Sequence, residues 1–328
     1  MRSIITGAAG FIGSHLADRL LDEGHEVVAV DDLSTGRESN LSAAMARGAR
    51  FQRVSVTDQA GLARAFAGAD WVFHLAGLAD IVPSIQEPLR YHSANTDGTV
   101  CVLEAARAAG AKRFVYAASA SCYGIAEQNP TPEDAPIRPM YPYALTKRVG
   151  EEYVLHWGRT YDMPVMSLRL FNVYGPRSRT TGAYGAVFGV FLAQKLAGKA
   201  YTVVGDGTQR RDFVFVSDVV DAFVRAAASD LSGRVYNVGG GDPQSVNRLV
   251  ELLGGEKTYI PKRPGEPDVT WADITAIGRD LGWKPRVSFE EGVRIMLDHI
   301  ADWSDAPVWN SESIGEATRD WFRYLGKE

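Results

Sequence analysis

The chain has 328 residues, 45% of them hydrophobic and 23% charged, with a formal net charge of −5. That length supports one large domain or two modest ones around a substantial core. The acidic balance argues against a nucleic-acid-binding surface, which needs clustered Lys and Arg. Cys101 and Cys122 are the only cysteines; without metal-ligand spacing they fit a reducing cytoplasm and a fold held by its core. Met1-Arg2 runs directly into Ser3-Ile4-Ile5-Thr6, leaving no room for a signal peptide. The most apolar later stretch, 183–192, is broken by Gly185 and Gly189 and falls short of a membrane span. The expectation is a cytoplasmic protein with no metal, nucleic-acid or membrane partner.

Short β-rich runs at 3–6, 26–30, 51–54, 71–74, 113–118 and 165–170 alternate with helical spacing at 13–23, 59–67, 88–109 and 143–161. Regular alternation predicts an α/β, Rossmann-like, doubly wound parallel sheet. From about residue 180 the rhythm changes: strands at 201–204, 213–216 and 235–238 mix with helices at 187–197, 219–228, 246–253 and 289–300. These predict a smaller C-terminal α/β lobe. We expect a first domain over residues 1–175 and a mainly substrate-binding lobe over 176–328, with some segments returning to the first domain.

The first loop reads Gly7-Ala8-Ala9-Gly10-Phe11-Ile12-Gly13, directly after a predicted strand and opening a helix. Glycines there let the backbone approach a pyrophosphate, which sits at the helix N-terminus. Asp31-Asp32 follows at the end of the second strand, where a carboxylate bonds the adenosine ribose. Such a carboxylate repels a 2′-phosphate, so NAD is favoured over NADP; Arg37, after the Ser34-Thr35-Gly36 turn, is the cation that would accommodate one. Asp58 reads first as an N-cap, with the adenine edge as a second role. His74 lies in an apolar run and reads as a packed core residue. Asn95, on the following helix, is positioned to reach back to the nicotinamide half. Tyr143 and Lys147 stand four apart on one helical face. An ammonium near a phenol stabilises the phenolate, so a tuned Tyr can serve as a general base.

Gly7/Gly10/Gly13, Asp31, His74-Leu75-Ala76-Gly77, Ala118-Ser119-Ala120-Ser121-Cys122-Tyr123-Gly124 and Tyr143-x-x-x-Lys147 occur in this order. With that set the chain resembles the extended short-chain dehydrogenases/reductases, and within them the nucleotide-sugar epimerase/dehydratase branch, over roughly residues 2–300. The resemblance implies NAD as cofactor, held by Gly7, Gly10, Phe11, Ile12, Gly13, Asp31, Asp32, Thr35, Gly36, Asp58, Leu75, Ala76, Gly77, Asn95, Phe171, Tyr143 and Lys147. It makes Ser119, Tyr143 and Lys147 the catalytic set. It also implies a nucleotide-diphosphate sugar bound by Ser84, Ser119, Ser121, Asn172, Ala186, Val187, Thr202, Arg211, Arg263, Glu266 and Thr270. In that reading Arg211 and Arg263 clamp the diphosphate, Glu266 takes a ribose hydroxyl, and the protein is a homodimer.

All chemistries on this scaffold begin by oxidising C4. A 4,6-dehydratase then needs a carboxylate shortly after the catalytic Ser, where this chain has Ala120-Ser121-Cys122. Epimerisation needs no extra group, so an NAD-dependent 4-epimerase of UDP-glucose or UDP-N-acetylglucosamine type is the reading; UDP-glucuronate 4-epimerase, dehydratase and decarboxylase are alternatives, and a non-catalytic NAD-binding scaffold a remote one. Ala79-Asp80 stands where UDP-galactose epimerases often carry a Lys. Residues 182–187 resemble the loop of enzymes acting on N-acetylhexosamines, and the small Thr270 leaves room for an N-acetyl group. Arg177 or Arg179 would serve a uronate. Beyond residue 300 the chain outruns the family core; Ile314, Ala317 and Trp321 predict one short amphipathic helix covering the small lobe.

Overall fold

The computed structural model of the protein describes residues 1–180 and 186–326. Its strands are, in chain order, β1 (Arg2–Thr6), β2 (Glu26–Asp31), β3 (Arg50–Arg53), β4 (Trp71–His74), β5 (Arg113–Ser119), β6 (Val165–Leu170), β7 (Asn172–Tyr174), β8 (Tyr201–Val204), β9 (Arg210–Arg211), β10 (Phe213–Phe215), β11 (Arg234–Val238), β12 (Gln244–Ser245) and β13 (Lys257–Ile260). Seven of them form one sheet in the order β11-β6-β5-β4-β1-β2-β3. Every pairing in it is parallel. Its central strands are buried on both faces, as their near-continuous apolar runs require. On one face, helices Phe11–Asp22 and Val216–Ala228 meet over Leu16, Leu20, Val219 and Phe223. On the other, Gln59–Ala65, Gly98–Ala108 and Pro142–Tyr161 bury Leu62, Leu103 and Val154. The strand order reverses between β1 and β4, and the crevice at their carboxyl ends is where open α/β sheets bind ligands.

Three segments differ from expectation. The 235–238 run, expected in the small lobe, pairs with β6 and completes the large sheet, because Tyr236 and Val238 find their apolar partners there. Val216 begins a helix instead of ending a strand. The helix expected over 88–109 is three pieces, Pro88–His92, a π-helical turn at Ser93–Asp97 and Gly98–Ala108. The small lobe keeps the remaining short pairs β10-β7, β12-β9 and β13-β8 around Tyr174, Phe188, Phe213 and Met296. No helix among the described residues is long and apolar enough to cross a membrane.

Helix Pro142–Tyr161 starts cleanly, with Tyr141 extended at the N-cap and Pro142 in the first turn, and ends on a left-handed Asp162. Tyr143, Lys147 and Glu151 recur every four residues, so they line one stripe. Glu151 is buried and locks that stripe to the sheet. Its carboxylate accepts from Ser167 Oγ at 2.8 Å, and from Arg169 Nε and Nη2 at 3.0 and 2.7 Å. Arg169 Nη1 also donates to the Tyr123 hydroxyl and the Glu133 carbonyl, both at 2.7 Å. Tyr123 passes the chain on to Asn237 of β11 at 2.7 Å. Burial raises the Glu151 carboxyl, but Arg169 overcomes that and holds it below the usual range. Arg148 Nη1 also pairs with Glu151, at 2.5 Å, so removing Arg169 leaves the buried carboxylate with only that partly exposed cation and Ser167, and takes away its largest stabilising partner. Arg169→Leu should therefore destabilise the fold by roughly 3–5 kcal/mol, read from urea unfolding; a change within experimental error would show the pair to be dispensable.

Candidate active site

A cavity of about 790 Å³ runs from the β1–β4 crevice to the small lobe. At its large-domain end Gly7 adopts φ +70°, and a Cβ there would lie 2.6 Å from Ala76 N; at Gly13 it would collide with the Gly7 carbonyl. The backbone is bare where a diphosphate would approach, and the loop fits a dinucleotide. Asp31 Oδ2 accepts from Ala9 N at 2.9 Å and its Oδ1 from Leu33 N at 2.8 Å. Burial raises the Asp31 carboxyl, and these backbone bonds oppose that. Asn40 Nδ2 reaches the Ala9 carbonyl at 2.9 Å, bracing the loop from outside. Gly10, Phe11, Ile12, Asp32, Thr35, Leu75, Ala76, Gly77 and Phe171 all line the cavity, with Val54 and Val56 beside them. Arg37 lines it too, its guanidinium donating to Thr180 Oγ1 at 2.9 Å.

Six expected residues are not among those lining the cavity: Tyr143 and Lys147, and four that the fold employs elsewhere. Gly36 packs on Ala9. Asp58 caps the helix Gln59–Ala65 by accepting from Gly61 N at 3.0 Å. Ser84 is buried and donates to the Ile81 carbonyl at 2.6 Å. Asn95 is also buried: its amide exchanges hydrogen bonds with both backbone groups of Leu78 and reaches Thr146 Oγ1. It braces the strand-end loop instead of facing a ligand. His74 is the core residue expected, held between Thr6 Oγ1 at 2.7 Å and Thr99 Oγ1 at 2.9 Å, with burial pushing its pKa down to about 3.

Ser119 ends β5, and its Oγ lies 2.8 Å from Ser121 Oγ. Tyr143 interacts with Ser119 through its phenol; burial raises that phenol, Ser119 opposes it, and Asp80 adds to the rise. Lys147 Nζ lies 4.3 Å from the Tyr116 ring centroid and 3.8 Å from where a Gly77 Cβ would stand. Burial lowers its pKa to about 7, with Glu151 opposing. Ser119 and Tyr143 thus meet, with Ser119 in the cavity wall and Lys147 one helical turn beyond Tyr143, its ammonium against Tyr116 and Gly77; the largest influence on the Tyr143 phenol here is burial.

At the small-lobe end Asn172, Ala186, Val187, Thr202, Arg211, Arg263, Glu266 and Thr270 line the cavity. Thr270 Oγ1 donates to Asn172 Oδ1 at 2.9 Å. Arg211 Nη2 bonds Glu266 Oε1 at 2.7 Å, and Arg263 Nη1 stands 3.9 Å from Glu266 Oε2. Glu266 therefore sits between the two arginines. Its buried Oε2 has no hydrogen-bond partner among the described residues. Arg177 pairs with Asp18 at 2.7 Å and Arg179 with Asp80 at 2.6 Å. Residues 182–185 of the N-acetylhexosamine-like loop lie outside the described residues.

Sequence reasoning overlooked Tyr141, whose ring stacks on Tyr143 at 6.3 Å and whose hydroxyl interacts with Ser121; the Tyr-Pro-Tyr spacing was its only signal. It also overlooked the Asp80–Arg179 pair and the tryptophans of the tail, which reach the cavity from afar in sequence.

The model of the NAD dependent epimerase/dehydratase family matches residues 3–239. This chain belongs to that family. Among its relatives, the UDP-glucose 4-epimerase of Mycolicibacterium smegmatis is 40% identical over 89% of this chain and 96% of its own length. A crystal structure of UDP-glucose 4-epimerase with UDP-glucose from Thermotoga maritima superposes with a TM-score of 0.86 at 35% identity, covering 92% of this chain and 99% of that one. A UDP-N-acetylglucosamine 4-epimerase from Methanobrevibacter ruminantium, in complex with UDP-N-acetylmuramic acid, gives 0.87 at 32%, covering 92% and 98%. The family is NAD-dependent, in keeping with the loop and with Asp31.

Two outcomes follow from this geometry. Gly13→Ala should cost the purified protein most of its nucleotide, at least tenfold in NAD affinity, since the loop must open to admit the methyl group; retention of wild-type NAD would separate the loop from cofactor binding. Unfolded Lys keeps its proton to about 10.4. Between that value and the folded pKa of about 7, the unfolded chain binds more protons, so stability rises with pH. Relative to Lys147→Met, the wild type should gain stability across that window in urea titrations without added nucleotide; parallel curves would mean Lys147 is not titrating there.

Proposed function

We propose that this protein is an NAD-dependent nucleotide-sugar 4-epimerase acting on a UDP-hexose of the UDP-glucose or UDP-N-acetylglucosamine type. The observation that carries the reading is the contact of Tyr143 with Ser119 at a cavity that joins a dinucleotide loop to the Arg211/Arg263 pair, with Lys147 one turn on along the same helix. The activities of the relatives support it.

Gly7, Gly10, Phe11, Ile12 and Gly13 would hold the pyrophosphate, and Asp31 the adenosine ribose. NAD, when bound, supplies the electron acceptor at C4 and a cationic ring. Tyr143, through Ser119, takes the proton of the C4 hydroxyl and later returns it. Burial otherwise keeps that phenol protonated, so a cation is what it needs to act as a base. Lys147, one turn on along the same helix, is the cation proposed for that role, and the charge of Glu151 favours its protonated form. Arg211 and Arg263 grip the diphosphate through bidentate bonds, which lets the 4-keto sugar turn about its linkage and present its other face. Glu266 Oε2 is available to a ribose hydroxyl. Asn172 and Thr270 face the substrate end, and the small Thr270 admits an N-acetyl group.

The competing chemistries have less support. Asp31, Asp32, Asp80 and Glu266 are the carboxylates lining the cavity among the described residues; none stands shortly after Ser119, where the chain reads Ala120-Ser121-Cys122, which disfavours a dehydratase. Arg177 and Arg179, the cations a uronate would need, are ion-paired. Two unpaired cysteines support a cytoplasmic location. A homodimer through the helices of 88–109 and 143–161 is supported by the exposed Leu89 on the first and Leu145, Tyr153 and Tyr161 on the second. We keep the division near residue 175 between cofactor and substrate lobes, with β11 and helix Val216–Ala228 returning to the first.

Incubation with UDP-glucose, UDP-N-acetylglucosamine and UDP-glucuronate, followed by proton NMR at C4, tests the substrate; turnover of the glucuronate alone would overturn the hexose reading. Tyr143→Phe should lower kcat by about 10²–10⁴. Activity surviving that substitution would remove Tyr143 from the proton transfer.

A further inference from the structure

The tail is not the single covering helix expected. It forms two short helices, Ser311–Ala317 and Arg319–Leu325, after a 3₁₀ turn at Ile300–Trp303. Its path is pinned at successive points. Trp303 is buried among the aromatic residues of the small lobe. The Trp309 carbonyl accepts from the fully buried Gln194 at 2.8 Å, and Gln194 also donates to Thr202 Oγ1 at 2.8 Å. Ile314 closes a cluster with Val204 and Ile260. Trp321 Nε1 donates to the Pro264 carbonyl at 2.7 Å, and the Arg263 guanidinium lies 5.5 Å from the Trp321 ring centroid. Gln86 of the large domain donates to Asp320 at 2.8 Å.

The strap thus runs from the small lobe, behind the Arg263–Glu266 turn, to the large domain. Trp303, Pro307, Trp309, Thr318 and Trp321 form part of the cavity wall itself.

We infer that residues 303–325 are a substrate-binding element of this chain, with Trp321 the residue that positions the Arg263 guanidinium for the diphosphate of a nucleoside diphosphate. The inference rests on the nucleotide-sugar reading. A flexible Arg loses rotamer freedom on gripping a phosphate, and a ring against its guanidinium restricts that freedom beforehand. Because the strap also joins the two lobes, a ligand lying between them tightens it, and an intact strap tightens the ligand.

The test uses the NAD-loaded enzyme. Trp321→Ala should weaken UDP binding roughly tenfold by calorimetry and raise KM for the sugar nucleotide while kcat and NAD content stay unchanged. Trp321→Phe, which keeps a ring for Arg263, should recover most of the loss. In the wild type, UDP should slow hydrogen exchange in residues 311–325. Unchanged UDP affinity in Trp321→Ala, loss of NAD along with UDP, or exchange in the tail indifferent to UDP would each overturn the inference; the exchange measurement decides even where the variant does not fold. UDP failing to bind the wild type would instead sink the nucleotide-sugar reading.

Discussion

The buried Glu151–Arg169 pair is the constraint on which the site depends. A carboxylate inside a sheet–helix interface is tolerable only with a full set of partners, and Glu151 has them from Ser167 and Arg169 of the neighbouring strand. Those bonds fix the rotation of the long helix about its axis. Since Lys147 and Tyr143 stand one and two turns earlier on the same stripe, their direction is fixed as well. Arg169 extends the constraint through Tyr123 to Asn237, so the helix, β6 and β11 are held as one body. The charge of Glu151 is also the one that opposes the desolvation of Lys147. One ion pair therefore serves both the placement of the helix and the electrostatics of its first turns.

The cavity shows a division of labour. Its dinucleotide end is made of backbone and small residues; the loop glycines cannot carry a methyl group without moving β-strand ends. Its other end is made of side chains, many of them already engaged with one another: Arg211 with Glu266, Thr270 with Asn172, Arg179 with Asp80. A common cofactor is served by rigid backbone, and a variable sugar by side chains whose bonds can be exchanged. That matches a family in which relatives with similar folds bear the names of different sugars.

Most of the fold was legible in the sequence because parallel strands are short apolar runs and their helices keep a strict period. The dinucleotide loop was legible because its chemistry is local: strand, glycines, helix and acid follow one another. Ser84 and Asn95 were read as ligand contacts by position, and each is engaged by a neighbour in the fold, while Asp58 is the N-cap that its place before the helix announced. A polar side chain at the right place in the order of residues does not declare whether a backbone group has already claimed it. Tyr141 escaped because its role comes from stacking on Tyr143, which depends on the extended backbone before the helix.

By itself, then, the sequence determined the doubly wound sheet and the loop for the dinucleotide, features whose physics is periodic or local. The tertiary structure alone decided that 234–238 completes the large sheet, that burial outweighs the Ser119 hydrogen bond at Tyr143, and that Trp303, Trp309 and Trp321 come to the cavity wall. These depend on which surfaces are desolvated together, a quantity set by contacts between residues as far apart as Gln86 and Asp320.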